Sequence, residues 1–149
     1  MWILPSRSRP QNLRRLIAAG ITTPVYLRLD DDDPMLQGYR DIDFPLGWFF
    51  IVTKRALLSS IYNAAFMVMP DLDWYGFLAD DVIPETSGWD LLLIEAAGKD
   101  GLAFGDDGIN QGSFATHFVL GGDLVRSVGW LALLGLDRIY IDTVWNDIA

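Results

Sequence analysis

Cysteine is absent from the 149-residue chain, which excludes disulfides, thiolate metal ligands and a cysteine nucleophile. Positive charge is scarce: 11 Lys and Arg stand against 20 Asp and Glu, for a formal net charge of -9. A broad phosphate-gripping face of the kind that holds nucleic acid is therefore not expected. Long apolar runs are missing too. None approaches the roughly 20 residues of a membrane span, and the opening Met1-Trp2-Ile3-Leu4-Pro5 lacks both the apolar length and the leading basic region of a signal peptide. These absences predict a cytoplasmic protein with no integral membrane segment and no nucleic-acid partner.

What is present suits a packed domain: 51% hydrophobic and 21% charged residues, in a chain long enough to bury roughly two thirds of its unfolded surface. No internal repeat, low-complexity tract or linker interrupts it, so residues 1–149 are expected to form a single domain. The acids are clustered, as Asp30 to Asp33, Asp80 with Asp81, and Asp106 with Asp107. Adjacent carboxylates repel unless solvated or neutralised by a cation, and this points toward a metal.

Along the chain, Trp2 to Leu4 reads as a strand stopped by Pro5. A polar loop Ser6-Arg7-Ser8-Arg9 follows, and then a helix opened by Pro10, with Leu13, Leu16 and Ile17 on one face, ending at Gly20. Val25 to Leu29 is a second strand running into the Asp30 acids. Residues 35–47 read as irregular connection, and Trp48 to Val52 as a strand. A helix is expected over Ala56 to Met69, with Leu57, Ile61, Ala65 and Val68 on its inner face. A strand over Trp74 to Ala79 ends in Asp80-Asp81, a helix covers Trp89 to Ala97, and Leu102 to Phe104 and Phe118 to Leu120 are short strands. A helix from Asp123 to Leu133, a last strand from Arg138 to Ile141 and a last helical turn from Asp142 to Ile148 complete the pattern. Strands alternating with helices predict an α/β fold, a mostly parallel sheet flanked by helices, with ligands bound outside the carboxyl ends of the strands. The loop acids and arginines map to that edge.

Asp80 and Asp81 close an apolar strand, where packing has little use for acids. Mg2+ and Mn2+ take hard oxygen ligands, commonly one or two carboxylates with water and phosphate completing the shell. The same pair would also serve as a solvated turn capping the next helix. Arg7 and Arg9, at a strand-to-helix loop, are placed for phosphate or base contact. Asp106 and Asp107 lie in a Gly-flanked turn and read as turn chemistry. Trp48, Trp89 and Trp145 stand near element ends, where sugar stacking and core packing both need aromatic rings.

The order of these features is similar to that of GT-A glycosyltransferases of the family 2 type, over almost the whole chain: a strand into Pro5-Ser6-Arg7-x-Arg9-Pro10, a strand into an Asp run at Asp30, a helix, a strand into Asp-Asp, and Trp89 soon after. The resemblance implies a nucleotide-diphospho-sugar transferase, Rossmann-like in architecture. Pro5, Ser6 and Arg7 would form the loop around base and ribose, Asp30 would contact the base, and Asp80 and Asp81 would stand for the family's DxD motif. The first Asp of that motif falls on Ala79, which leaves Asp81 as the metal ligand, with Asp80 as ribose contact or second carboxylate. Asp142, in Tyr140-Ile141-Asp142-Thr143, resembles the family's catalytic base in placement, and a helix cap would suit it as well. His117, the single histidine, would be a third metal ligand or phosphate contact, or a structural residue.

The resemblance thus implies transfer of a sugar from a nucleoside diphosphate sugar, a UDP-sugar first, to an unknown acceptor. Mn2+ or Mg2+ would be the cofactor and inversion the expected outcome. The alternative is a nucleotide-sugar-binding module or degenerate relative without efficient transfer, with a partner completing the acceptor site; an oligomer is compatible with either. A nucleotidyltransferase fits less well, because no Gly-rich basic loop follows Leu4.

Overall fold

A computed structural model describes residues 1–109, 112–136 and 140–148. The elements run β1 (Trp2–Ser6), α1 (Pro10–Ala18), β2 (Val25–Asp30), α2 (Leu36–Arg40), β3 (Trp48–Thr53), α3 (Leu58–Val68), β4 (Trp74–Phe77), α4 (Trp89–Ala97), β5 (Leu102–Phe104), β6 (Phe118–Gly121), α5 (Gly122–Val128) and α6 (Ile141–Ile148). Among the described residues the strands form one six-stranded sheet in the order β3-β2-β1-β4-β6-β5.

β1 lies in the middle of the sheet, and its apolar run is continuous because both faces are covered. Trp2 and Leu4 enter one core with Leu13, Leu16, Val25, Leu27, Leu29, Tyr39 and Trp89. Ile3, pointing the other way, enters a second core with Tyr62, Ala65, Tyr75, Phe77, Phe118, Ile141 and Trp145. Helices α1, α2 and α4 therefore cover one face, and α3, α5 and α6 the other, in a three-layer α/β arrangement.

The sheet is mixed. β3, β2, β1 and β4 are mutually parallel, whereas β6 runs antiparallel to both β4 and β5. The chain leaves β5 and returns along β6 from the same edge, a hairpin-like connection needing no crossover helix. Alternation of apolar segments cannot distinguish that return from a crossover.

Other boundaries also differ from the sequence reading. β1 continues through Pro5 to Ser6. Its pairing with β4 covers only Trp2 and Ile3, so the missing Pro5 N-H removes no ladder bond on that side. The segment read as irregular contains α2, five residues long and too short to show a period. On α3, Ile61 and Ala65 face inward, but Leu57 precedes the helix and Val68 is 77% exposed. α5 stops at Val128 because Gly129 takes a left-handed φ of 81°. Ile141, read as the end of a strand, begins α6; Arg138 and Ile139 of that reading lie outside the described residues.

Gly76 shows how tightly the first core is built. It sits opposite Trp2 in the ladder, and a Cβ there would run into the Trp2 six-membered ring. That ring is held against Trp74 and Trp89 at centroid distances of 5.6 and 4.9 Å, so it has no room to retreat. Gly76→Ala is expected to destabilise the protein by about 1–3 kcal/mol through overpacking, read as a lower denaturant midpoint in urea unfolding.

Candidate functional site at the carboxyl edge of the sheet

Because β6 alone is reversed, the loops leaving β1, β2, β4 and β5 and the loop entering β6 share one edge. The structure thereby brings Ser6, Arg7, Arg9, Asp30, Asp80, Asp81 and His117 to one side of the sheet. Pro5 lies within β1 beside them.

Asp80 is fully buried and its carboxylate organises the edge. Ser6 Oγ donates to Asp80 Oδ2 at 2.5 Å. The Tyr39 hydroxyl accepts the Arg9 backbone N-H at 2.9 Å and lies 2.8 Å from Ser6 Oγ. With the Ser6 proton committed to Asp80, Tyr39 is the donor to Ser6. The other Asp80 oxygen, Oδ1, is buried without a hydrogen bond; Arg9 Nη2 lies 2.7 Å away as an ion pair off the hydrogen-bonding axis. Arg9 Nη1 meets Asp81 Oδ2 at 2.9 Å, so one guanidinium bridges both acids. Burial pushes the Asp80 carboxyl above its ordinary range, against the Ser6 hydrogen bond and the Arg9 charge.

The next loop is tied in by the acids after β2. Arg7 Nη1 bridges Asp30 Oδ2 at 2.9 Å and Asp32 Oδ1 at 2.5 Å, and Arg28 Nη1 takes Asp30 Oδ1 at 3.1 Å. The buried Arg28 guanidinium also donates to the Leu29 and Lys54 carbonyls. Asp33 accepts the Ser8 N-H and the Met35 N-H, each at 2.7 Å, pinning Ser8 in a left-handed conformation with φ 59°. Asp30 is therefore already gripped by two arginines, though each carboxylate oxygen keeps a further lone pair.

His117 occupies the far side of the edge. Burial lowers its pKa below the ordinary imidazole value, while the charges of Asp81, Asp107 and Asp142 oppose that. The three carboxylates act on the ring through charge alone, and burial outweighs them. Asn146 of α6 accepts the Ala115 N-H at 3.0 Å and donates to the Ala115 carbonyl at 3.2 Å, which docks α6, and with it Asp142, onto the loop carrying His117. Asp142 itself accepts the Thr143 N-H at 2.9 Å. A groove of about 990 Å3 is lined by Asp81, Val82, Trp89, Leu92, Asp107 and His117, among others.

Asp106 and Asp107 accept the backbone N-H groups of Gly108 and Ile109, each at 2.9 Å, which is turn chemistry. Trp145 is fully buried, with its indole N-H on the Leu131 carbonyl at 2.7 Å, and Trp48 and Trp89 pack on the first core; all three rings serve packing. Among the described residues no three His, Asp or Glu side chains converge closely enough to hold a metal. Sequence reasoning missed Tyr39, Arg28 and Asn146. Tyr39 lies on the helix too short to be seen and meets Ser6 and Arg9 only through tertiary contact, as Asn146 meets Ala115; the Arg28-Asp30 pair, two positions apart on one strand face, was open to the sequence.

No protein-family model and no curated protein matches the chain. Its fold is similar to the crystal structure of the apo-form glycosyltransferase GlyE of Streptococcus pneumoniae TIGR4, with a TM-score of 0.52 and 15% sequence identity over 86% of this chain. The match spans 35% of the GlyE chain. The chain thus has a glycosyltransferase-like fold, in which no helix is long and apolar enough to cross a membrane among the described residues.

Removing the donor to a buried carboxylate has a measurable cost. Ser6→Ala is expected to lower stability at neutral pH by about 1–3 kcal/mol. Because the folded pKa of Asp80 is raised, the advantage of burying it uncharged is fully present below the unfolded value of 3.8 and is lost as pH rises through the folded value. Ser6 favours the ionised form, so the Ser6→Ala deficit should shrink as the pH falls through that folded value. Urea unfolding across pH 3 to 7 (about neutral to acid, the range of carboxylate titration) checks both statements.

Proposed function

We propose that the chain is the nucleotide-sugar-binding core of a GT-A glycosyltransferase of the family 2 type. It would move a sugar from a nucleoside diphosphate sugar, a UDP-sugar first, to an acceptor hydroxyl. One observation carries the reading: on a glycosyltransferase-like fold, the β1 loop, the acids after β2 and the Asp80-Asp81 pair are physically coupled at one sheet edge through Ser6, Arg7 and Arg9.

The reading calls for Mn2+ or Mg2+, for which no three-ligand site stands ready among the described residues, so a cation would have to displace Arg9 from Asp80 and Asp81. Asp80 Oδ1 is a buried oxygen without a hydrogen bond, Asp81 beside it is 54% exposed in its side chain, and His117 is held toward its neutral form. Asp81 would hold the cation, and Asp80 and His117 would join it only through a rearrangement of the edge. The cation would neutralise the diphosphate as it leaves. Arg7 and Arg9 would hold phosphate oxygens or base, and Asp30 would accept from the base. Asp142 would take the proton of the acceptor hydroxyl as that oxygen attacks the sugar, and attack in line from the face opposite the diphosphate would invert the anomeric centre.

Arg9 already neutralises both Asp80 and Asp81, which supports a second reading, a binding module that holds the nucleotide-sugar without efficient transfer and relies on a partner for the acceptor. Release of the sugar or its transfer, followed with labelled donor, separates the two.

The test is calorimetric titration of UDP and of GDP, with Mn2+ and with EDTA. Metal-dependent binding is expected, weakened about tenfold or more, equivalent to 1.4 kcal/mol, in Asp81→Asn. Absence of binding for both nucleotides under both conditions would overturn the donor site. The pH dependence has a definite sign: His117 has a lowered folded pKa, so its neutral form persists below the ordinary 6.5. Metal-dependent binding should therefore hold at neutral pH and fall only as the pH drops through the depressed value.

A further inference from the structure

The groove beside the carboxyl edge has a volume of about 990 Å3, at the upper end of the roughly 300–1,000 Å3 of small-molecule sites, and it reaches that edge at Asp81 and His117. Its charge is of one sign. Exposed Glu85, Asp106 and Asp107 line it with Asp81, and among the described residues no Lys or Arg does. Arg9 is the counter-charge of Asp81 and of buried Asp80, whereas Glu85 and Asp106 make no ion pair among the described residues. Asp106 accepts the Gly108 N-H at 2.9 Å, and Asp107 the Ile109 N-H at 2.9 Å and the Thr116 hydroxyl at 3.3 Å. Those donors are uncharged and leave the carboxylate charges in place. A diphosphate would meet like charge here; the arginines that suit it, Arg7 and Arg9, stand on the β1 loop instead. The groove is thus left for a different molecule.

Its apolar wall carries a polar group with nothing to bond. Trp89 lines the groove and is 8% exposed. Its ring packs on Trp2 at 4.9 Å, and its indole N-H is buried without an acceptor. Buried donors are normally paired, and an indole nitrogen can only donate, so an oxygen atom is what this wall lacks. We propose that the groove is the acceptor site and that it selects a cationic acceptor, a hydroxylated amine of the amino-sugar type. The ammonium lies along Glu85, Asp106 and Asp107, an oxygen accepts the Trp89 N-H, and a hydroxyl reaches the Asp81 and His117 end. On transfer that hydroxyl oxygen bonds the anomeric carbon as the bond to the diphosphate breaks, and the hydroxyl proton passes to Asp142. Calling the ligand an acceptor rests on the reading of the adjoining edge as a donor site; the selection for positive charge does not.

Glucosamine, glucose and glucuronate, which present a cation, no charge and an anion on one ring, are the probes. Each is titrated into the full chain without nucleotide or metal, at low salt and below neutrality where the amine is charged, and followed by NMR at the indole N-H resonance that Trp89→Phe removes. Glucosamine is expected to shift that resonance saturably and to bind about tenfold more tightly than glucose, the margin of a charge-assisted contact over a neutral one, with no response to glucuronate. Glu85→Gln with Asp106→Asn, both exposed and outside the core, should bring glucosamine down to the affinity of glucose. Equal binding of the three sugars, no response to any of them, or glucosamine binding indifferent to the double substitution would overturn the proposal. UDP titrated into the same sample separates the two sites. Nucleotide binding without a glucosamine response sinks the groove and leaves the donor site standing, and a charge-selective glucosamine response without nucleotide binding sinks the donor site and upholds the groove's selectivity.

Discussion

The burial of Asp80 is the constraint on which the carboxyl edge depends. A carboxylate removed from water is costly unless hydrogen bonds and a counter-charge replace its hydration, and each replacement here comes from a different part of the chain. Ser6 arrives from β1, Tyr39 reaches Ser6 from α2, and Arg9 comes from the start of α1. Satisfying one side chain of the β4 loop therefore fixes the positions of the β1 loop and α2. Arg7 and the Asp30 to Asp33 acids carry the same coupling on to the β2 loop. A set of loops with little apolar content of their own becomes a single rigid edge.

A second buried acid does comparable service on the first core's side. Asp90 is fully buried at the start of α4 and accepts the backbone N-H and the hydroxyl of both Thr22 and Thr23 at 2.7 to 3.0 Å. Burial raises its carboxyl, but these donors outweigh burial and leave it below the ordinary value. The contrast with Asp80 is one of donor number. Asp90 Oδ2 is surrounded by donors, whereas Asp80 has one hydrogen bond and an off-axis arginine, and its charge is correspondingly less well supported.

How far this was legible in the sequence differs between elements. β2, β4, α4, β5 and β6 follow from apolar runs bounded by Gly, Pro and acids, because a strand buried on both faces or a helix of two and a half turns imposes its pattern locally. α2 did not follow, since five residues hold no full period, and neither did the reversed direction of β6, since strand sense leaves no mark in an apolar run. The acids at the edge were visible as clusters following strands. Their partners were not: Arg9 lies 71 positions from Asp80 and 72 from Asp81 (80 minus 9 and 81 minus 9), and nothing local announces such a pairing.

The sequence by itself determined the α/β class, the buried character of β1 and the placing of polar groups after strand ends, because periodicity, propensity and turn chemistry act over a few residues. The tertiary structure alone decided which acid is buried and which stays exposed, that one arginine bridges Asp80 and Asp81, that Asn146 docks Asp142 beside His117, and that β3 is left as an apolar edge. Those outcomes depend on strand order and on the satisfaction of buried charge, both of which are settled between residues far apart in the chain.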